Sequence, residues 1–384
     1  MTYKDDNMRL LMTVEELVRA SFSGDIFDEI LKIILLMRIA AIEKIELEKL
    51  SINEINQILI NIRQEFEEVI DGESFALDLN HLRSIFSSVN YSQFTFNIDF
   101  VDNYFESLIA KLDKADKGQF FTPRHVVEFC VRIAGIKLSD KIVDPSCGAG
   151  GFLIHSVERL RPGILKNEEA QLTGFDIDSR VIRLARLNFM IKGFKNYKLM
   201  TQNTLKRNYN DENNGKYDIV FANPPFAGEI RDSELLRTYS ITSKATEDRD
   251  VLFIERSYEL LKEDGKMIIV LPYSVFGSKH AKYVRKWIFE KFEVIAIISL
   301  ARSTFLPYTH QKANILVCRK AKHKGDKIFM SISKSGGKSS SGEWVYQKEI
   351  EKSKLSDTWS SVDHDLEDIE YEFKDYLIKE DIRW

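Results

Sequence analysis

The sequence predicts an α/β fold, a doubly wound and mainly parallel sheet preceded by an all-α N-terminal domain. Three observations carry that prediction. From Thr122 onward, short β-rich apolar runs alternate with longer amphipathic segments, the pattern of strand–helix–strand crossovers. A turn rich in glycine directly follows the first of those runs. Before about residue 115, by contrast, apolar positions recur at three-to-four spacing, which is a helical period.

Taken in order, Ile26, Ile30, Ile33, Ile34, Met37, Ala41 and Ile45 line one face of a helix. Ser51-Ile-Asn-Glu54 is a capping box that opens a second helix, and Asp71-Gly72 is expected to end it. A further amphipathic helix is expected from Asp99 to Leu112, and the charged stretch Lys111 to Lys117 reads as a hinge. Strands are predicted at Ile142-Val143, Leu172 to Asp176, Tyr197 to Thr201, Asp218 to Ala222, Lys266 to Leu271, Val294 to Ser299 and Asn314 to Cys318. Helices are predicted at Gly151 to Leu160, Ser179 to Lys192, Asp250 to Lys262 and Ala281 to Phe292. Ser335 to Gly342 (SGGKSSSG) reads as a flexible connector, followed by a helix from Asp363 to Leu377. The expected domains are therefore 1–115, helical; 116–334, the sheet domain; and 335–384, a linker and acidic, partly helical tail.

With 384 residues, 44% hydrophobic and 30% charged, the chain is long enough for two to three domains and is neither collagen-like nor mainly disordered. Its longest apolar stretch, Ile30 to Ile42, is broken by Lys32 and Arg38. The N-terminus lacks the apolar core of a signal peptide. A cytoplasmic protein with no membrane partner is expected. Cys130, Cys147 and Cys318 form no CxxC pair, and the seven histidines show no metal-ligand spacing. The net charge of −4 argues against an autonomous nucleic-acid binder. Locally, Arg319 to Lys338 carries +6 and Ser339 to Trp384 carries −7; the former is either a phosphate-facing patch or an ordinary solvated face.

Chemistry concentrates in two places. The first strand ends in Asp144 and runs into Pro145-Ser146-Cys147-Gly148-Ala149-Gly150-Gly151-Phe152. Glycines between a strand and a helix let a nucleotide-type ligand approach the backbone. The third glycine of a dinucleotide fingerprint is missing, since Leu153 occupies its place. Asp176, ending the second strand, is the acid placed to grip a ribose. Cys147 has no neighbouring base in the sequence and reads as a small wall residue. The second place is Asn223-Pro224-Pro225-Phe226, after the strand Asp218 to Ala222. An amino group held between the Asn223 side-chain oxygen and the Pro224 carbonyl would turn its lone pair toward an electrophile, and Phe226 offers a flat face to a planar group. The polar stretch Gly228 to Asp250 reads as a solvated loop placed to cover that group.

From Asp99 to Lys320 the sequence resembles the amino-methylating, S-adenosylmethionine-dependent DNA methyltransferases, specifically the modification subunit of type I restriction systems, in the gamma order of motifs. The resemblance implies a Rossmann-like methyltransferase fold and S-adenosylmethionine as cofactor, with no metal. It implies that Gln119, Phe120, Phe121 and Thr122 of Gly118-Gln-Phe-Phe-Thr-Pro123 touch the cofactor, with Asp144, Pro145, Ser146, Gly148, Gly150, Gly151, Phe152, Asp176, Asn203 and Asn223. Asn223 to Phe226 match the motif for adenine N-6 methylation, and Phe305 and Tyr308 of Thr304 to Thr309 fall in a loop near the target base. Asn203 stands where the family usually has Asp; His310 and Ala313 replace an expected Gly and Thr.

The implied partners are double-stranded DNA, a separate specificity subunit, because about 60 residues after the sheet are too few for a typical target-recognition domain, and a restriction subunit. A planar amide or amino group also occurs in protein glutamine and in RNA adenine, so an enzyme on those acceptors is the rival reading. A non-catalytic, cofactor-binding assembly subunit is the second rival.

Overall fold

The structure, a computed structural model, describes residues 3–384 apart from 25, 67, 73, 94–103, 106–107, 110–121, 161–170, 208–210, 227, 322–324 and 348–360. The chain forms two compact units, Met1–Leu112 with Ser179–Phe194, and Asp113–Asp178 with Lys195–Trp384.

The first unit is helical, with Tyr3–Ser21, Ile26–Glu43, Ile52–Glu65, Leu79–Ser88 and Ser179–Ile191. Helix Ile26–Glu43 is apolar around most of its surface and buries Glu29 and Lys32 as well. Buried charges persist only when paired, and these are: Lys32 Nζ lies 2.6 Å from Asp28 and 3.2 Å from Glu29. Glu29 also accepts the N–H groups of Ala76 and Leu77 at 3.0 and 3.1 Å. Arg183, on the helix between the second and third strands, donates to the Val69 carbonyl at 2.6 Å and pairs with Asp71 at 2.9 Å and with Asp28. Those bonds tie Ser179–Phe194 to the N-terminal helices, so the domain boundary is not the simple cut at 115 that the sequence suggested.

The capping box forms as expected: Ser51 N–H donates to Glu54 Oε2 at 2.8 Å, and Glu54 N–H donates to Ser51 Oγ at 3.4 Å. Asp71-Gly72 does not end that helix. It stops at Glu65, where Phe66 N–H closes the last turn on the Ile62 carbonyl. Asp71 instead donates its N–H to Asp28. The helix expected from Asp99 to Leu112 and the hinge Lys111 to Lys117 lie largely outside the described residues; Tyr104, Phe105, Leu108 and Ile109 are helical and buried.

The second unit is built on strands β1 Lys141–Asp144, β2 Gln171–Asp176, β3 Tyr197–Thr201, β4 Tyr217–Ala222, β5 Glu229–Ile230, β6 Glu247–Asp248, β7 Leu261–Pro272, β8 Glu293–Ser299, β9 Ala313–Arg319 and β10 Phe329–Ile332. Eight of them form one sheet in the order β10-β8-β9-β7-β4-β1-β2-β3, and β5 pairs with β6. All neighbours in the large sheet are parallel except β9, which is antiparallel to both β7 and β8. Its central strands are apolar on both faces, as parallel strands covered by helices require; Ile142, Val143, Ile219, Val220, Ile268 and Ile269 are all buried. The strand order reverses between β1 and β4, where chains of this topology bind ligands.

Three local expectations change. Gly228 to Asp250 is not a loose loop: it contains β5, β6 and helix Ser233–Arg237. Its far end is anchored by Ser240 and Ile241 N–H groups on the Glu255 carboxylate, by Tyr239 Oη on the Leu205 carbonyl and by Trp287 Nε1 on Ser240 Oγ. Ser335 to Gly342 is not a free connector and 335–384 is not a separate tail. Bridges pair Gly336 with His364, Lys338 with Trp344 and Tyr346 with Val362. Helix Leu366–Lys379 meets helix Arg124–Ala134 through Arg132 with Glu370 and Glu367, and Trp384 Nε1 donates to the Ile133 carbonyl. Much of the basic segment is also engaged inward: Arg319 on Glu293, Lys320 on the Tyr258 and Leu261 carbonyls, Lys327 on Glu380. That favours an ordinary structural face over a phosphate-binding patch. Among the described residues no helix is long and apolar enough to cross a membrane.

Candidate active site

β1 lies between β2 and β4, with Val143 opposite Thr173 on one side and Val220 on the other. The loops leaving the carboxyl ends of these three strands therefore start side by side. They are the glycine turn after Asp144, the segment after Asp176, and Asn223 to Phe226.

The glycine turn is held from below by backbone bonds. Cys147 N–H donates to the Phe175 carbonyl at 2.8 Å, and Gly150 N–H donates to the Cys147 carbonyl at 2.8 Å. Gly148 and Gly150 take φ of 52° and 85°, a region that side-chain-bearing residues avoid. Ser146 N–H donates to Asp144 Oδ1 at 2.9 Å and Gly148 N–H to Asp176 Oδ2 at 3.0 Å, while Asp176 Oδ1 takes the Asp178 N–H. Phe152, opening helix Gly151–Leu160, stacks on Phe221 of β4 with centroids 5.3 Å apart.

Both acids are buried. Burial, with the neighbouring Asp176 charge, pushes the Asp144 carboxyl up to about 8 against the pull of the Ser146 N–H. Burial raises Asp176 too, offset by the N–H groups of Asp178 and Gly148. The Ser146 hydroxyl oxygen is buried with no hydrogen-bond partner among the described residues. A donor set of two buried carboxyl groups and an orphaned hydroxyl, on a turn of glycines, fits a ligand bearing both positive charge and hydroxyl groups, as S-adenosylmethionine does. Cys147 is buried and burial raises its thiol well above the usual range, which agrees with a wall residue.

Asn203 accepts the Leu205 N–H on Oδ1 at 3.1 Å, closing its own turn beside the loop. Sequence reasoning missed Thr204, which is buried and donates to the Pro145 carbonyl at 2.8 Å, clamping the glycine turn. Nothing in its local sequence marks it; only the turn begun by Asn203 brings it there.

Asn223 Nδ2 donates to Thr122 Oγ1 at 2.8 Å. Of the Gly118 to Pro123 motif, Gln119, Phe120 and Phe121 lie outside the described residues, and Thr122 is placed at the Asn223 amide. Phe226 is buried and meets Phe305 with centroids 5.7 Å apart at 67°. Phe305 is 2% exposed and backs Phe226 in the aromatic wall. Tyr308 is exposed, with Lys338 Nζ 5.4 Å from its ring centre.

Fold and loop order together define the class, an α/β methyltransferase. The chain belongs to the N-6 DNA Methylase family, whose sequence profile matches residues 97–382. It is 27% identical over 267 residues to the Type I restriction enzyme EcoEI methylase subunit of Escherichia coli, covering 66% of this chain and 53% of that protein. It is 26% identical over 288 residues to the Type I restriction enzyme MpnII methylase subunit of Mycoplasma pneumoniae, covering 68% and 52%. The chain thus spans about half the length of these curated relatives. The crystal structure of the type I restriction-modification system methyltransferase subunit from Streptococcus thermophilus superposes with a TM-score of 0.63 at 16% identity, covering 97% of this chain and 94% of that one. That likeness establishes the fold.

Proposed function

We propose that this chain is the modification subunit of a type I restriction-modification system and methylates the N-6 amino group of adenine in double-stranded DNA. Family membership supports the reaction class, and the EcoEI and MpnII methylase subunits support the setting. The single observation that carries the chemistry is the oriented amide of Asn223. With Nδ2 donating to Thr122, Oδ1 is the end that accepts from an incoming amino group, and the Pro224 carbonyl accepts its second proton. Both protons are then engaged, and the nitrogen lone pair is turned away from them.

S-adenosylmethionine, when bound, supplies an activated sulfonium methyl. Asp144, Ser146, Gly148, Gly150, Gly151, Phe152, Asp176 and Asn203 are the residues that would hold it, with Pro145 shaping the turn and Gln119, Phe120, Phe121 and Thr122 closing over it. A base inside a duplex must be flipped out to reach such a site. Phe226 then stacks on it and Pro225 stiffens the turn, so positioning and electrostatics provide most of the rate. The helical unit Met1–Leu112 would engage a specificity subunit or close around DNA. A separate specificity subunit supplies the sequence readout and further phosphate contacts that a chain of net charge −4 lacks; a restriction subunit joins the same complex, in the cytoplasm.

The test is the N-6-methyladenine content of DNA from a methylation-free host expressing this chain with its neighbouring genes, measured by mass spectrometry of nucleosides. A rise that vanishes with Asn223→Ala is expected. No rise, from soluble protein that binds S-adenosylmethionine, would move the acceptor to protein or RNA, or leave the chain a non-catalytic subunit.

A further inference from the structure

One exposed aromatic residue stands just past the carboxyl end of β7 and has no role in the proposed reaction. Tyr273 follows Pro272, the last residue of β7, and is 49% exposed. β4 and β7 are adjacent and parallel, with Ala222, the last residue of β4, opposite Ile269. The turn Asn223 to Phe226 and Tyr273 therefore leave the carboxyl edge of neighbouring strands, which lie about 4.8 Å apart.

The ring is held although half of it faces solvent. Tyr273 N–H donates to the Lys312 carbonyl at 2.8 Å, fastening the end of β7 to the residue before β9. One side of the ring is seated on Gly277: a Cβ there would lie 2.4 Å from Cε1 and 2.7 Å from Cζ. A side chain at that position would push the ring off its seat. Lys312 Nζ stands 5.7 Å from the ring centre, and Lys279 and Lys282, both exposed, follow within nine residues. A half-open aromatic ring beside an ammonium group is the chemistry that takes a nucleobase on its face and a phosphate at its edge.

The geometry points to Tyr273 and Lys312 as a second nucleotide subsite, one that stacks the nucleotide next to the flipped adenine in the same strand and pairs its phosphate. Resting on the proposed DNA reading, the subsite follows from connectivity. A base drawn out against Phe226 stays linked to its neighbours by single phosphates, so an adjoining nucleotide stays near the same carboxyl edge of the sheet, where β7 ends. The subsite would hold the distorted strand open and would read stacking strength, not hydrogen-bond pattern.

The experiment uses the enzyme purified from cells co-expressing the chain with its neighbouring genes, and unmethylated genomic DNA as substrate. Tyr273→Ala is expected to raise KM for DNA about tenfold, in the range of losing one stacked base, with S-adenosylmethionine binding unchanged. Tyr273→Phe, which keeps the ring, is expected to stay within about twofold of wild type. Lys312→Met should flatten the log–log salt dependence of DNA binding by about 0.9, one phosphate contact. A wild-type KM in Tyr273→Ala, or equal impairment in Tyr273→Phe, overturns the subsite while leaving adenine methylation standing. A wild-type enzyme that neither binds nor methylates DNA overturns both.

Discussion

Thr122 Oγ1 accepts a hydrogen bond from Asn223 Nδ2 at 2.8 Å, joining residues 101 positions apart. A side-chain amide has two chemically different ends, and a bond to one of them selects which end meets the substrate. Thr122→Val removes that bond at constant shape. Its kcat is expected to fall about tenfold, the equivalent of one net hydrogen bond, while DNA affinity is unchanged. Thr122→Ser should recover most of the loss. Equal rates for Val and Ser would show that the amide does not depend on this contact.

Asn223→Ala and Phe226→Ala should each lower methyl transfer by at least about a hundredfold, as expected when a positioned donor–acceptor or stacking group is removed from a preorganised site. S-adenosylmethionine binding, followed by calorimetry, should be largely retained. Rates near wild type in both variants would refute the assignment of this turn.

The buried Asp144 carboxyl, pushed up to about 8 by its burial and by Asp176, keeps its proton at pH 7. A cationic ligand beside it favours the ionised form, so binding should release a proton, and affinity should strengthen as the pH rises toward about 8. Calorimetry in two buffers of different ionisation enthalpy measures that proton directly. Identical heats in both would contradict it.

His125 makes stability, rather than affinity, depend on pH. Burial first, then His364 and Lys338, push it down to about 3, and its ring stacks on His364 with centroids 5.0 Å apart. Between pH 6.5 and 3 the unfolded chain holds a proton on this residue that the folded chain refuses. Stability from this group should thus fall by about 1.4 kcal/mol for each unit of acidification in that window. Denaturant unfolding at pH 7, 5 and 4 should show a shallower decline in His125→Phe, and parallel declines would count against it.

Arg183→Met should destabilise the helical unit by about 1–3 kcal/mol, because it leaves the Val69 carbonyl unmet and takes from Asp28 one of its two cationic partners. A melting temperature within a degree of wild type would rule this out.

Much of the sheet was legible because buried parallel strands must be short apolar runs, and Tyr217–Ala222 begins only one residue before the Asp218 to Ala222 predicted for it. β10 escaped notice because Phe329–Ile332 is only four residues long, with intermediate or exposed side chains, inside a basic stretch. Ser335 to Gly342 looked like a connector because small polar residues carry no apolar signal. What holds its start is the Asp365 carboxylate, taking Ser333 Oγ and Lys334 N–H at 2.6 Å from about 30 residues away. In the site, Asp144 and Asp176 were readable as the last residues of their strands and Asn223 as the first residue after one. The Thr122–Asn223 bond, the clamp from Thr204 and the burial of Phe305 were not, since each depends on contacts between distant parts of the chain.

The membership of Ser179–Phe194 in the N-terminal unit sets a rule for dissecting this protein. The chain leaves that unit, lays down β1 and β2, goes back for one helix, and then returns to finish the sheet. No single cut yields two complete pieces. A fragment beginning near residue 122 would keep Arg183 but lose Asp28, Asp71 and Val69, stranding a cation and the apolar side chains Val181, Ile182 and Leu184 in water. Such a fragment is a substrate for chaperones and proteases, and a gene rearrangement that exchanged the N-terminal region between relatives would have to carry this internal helix along with it.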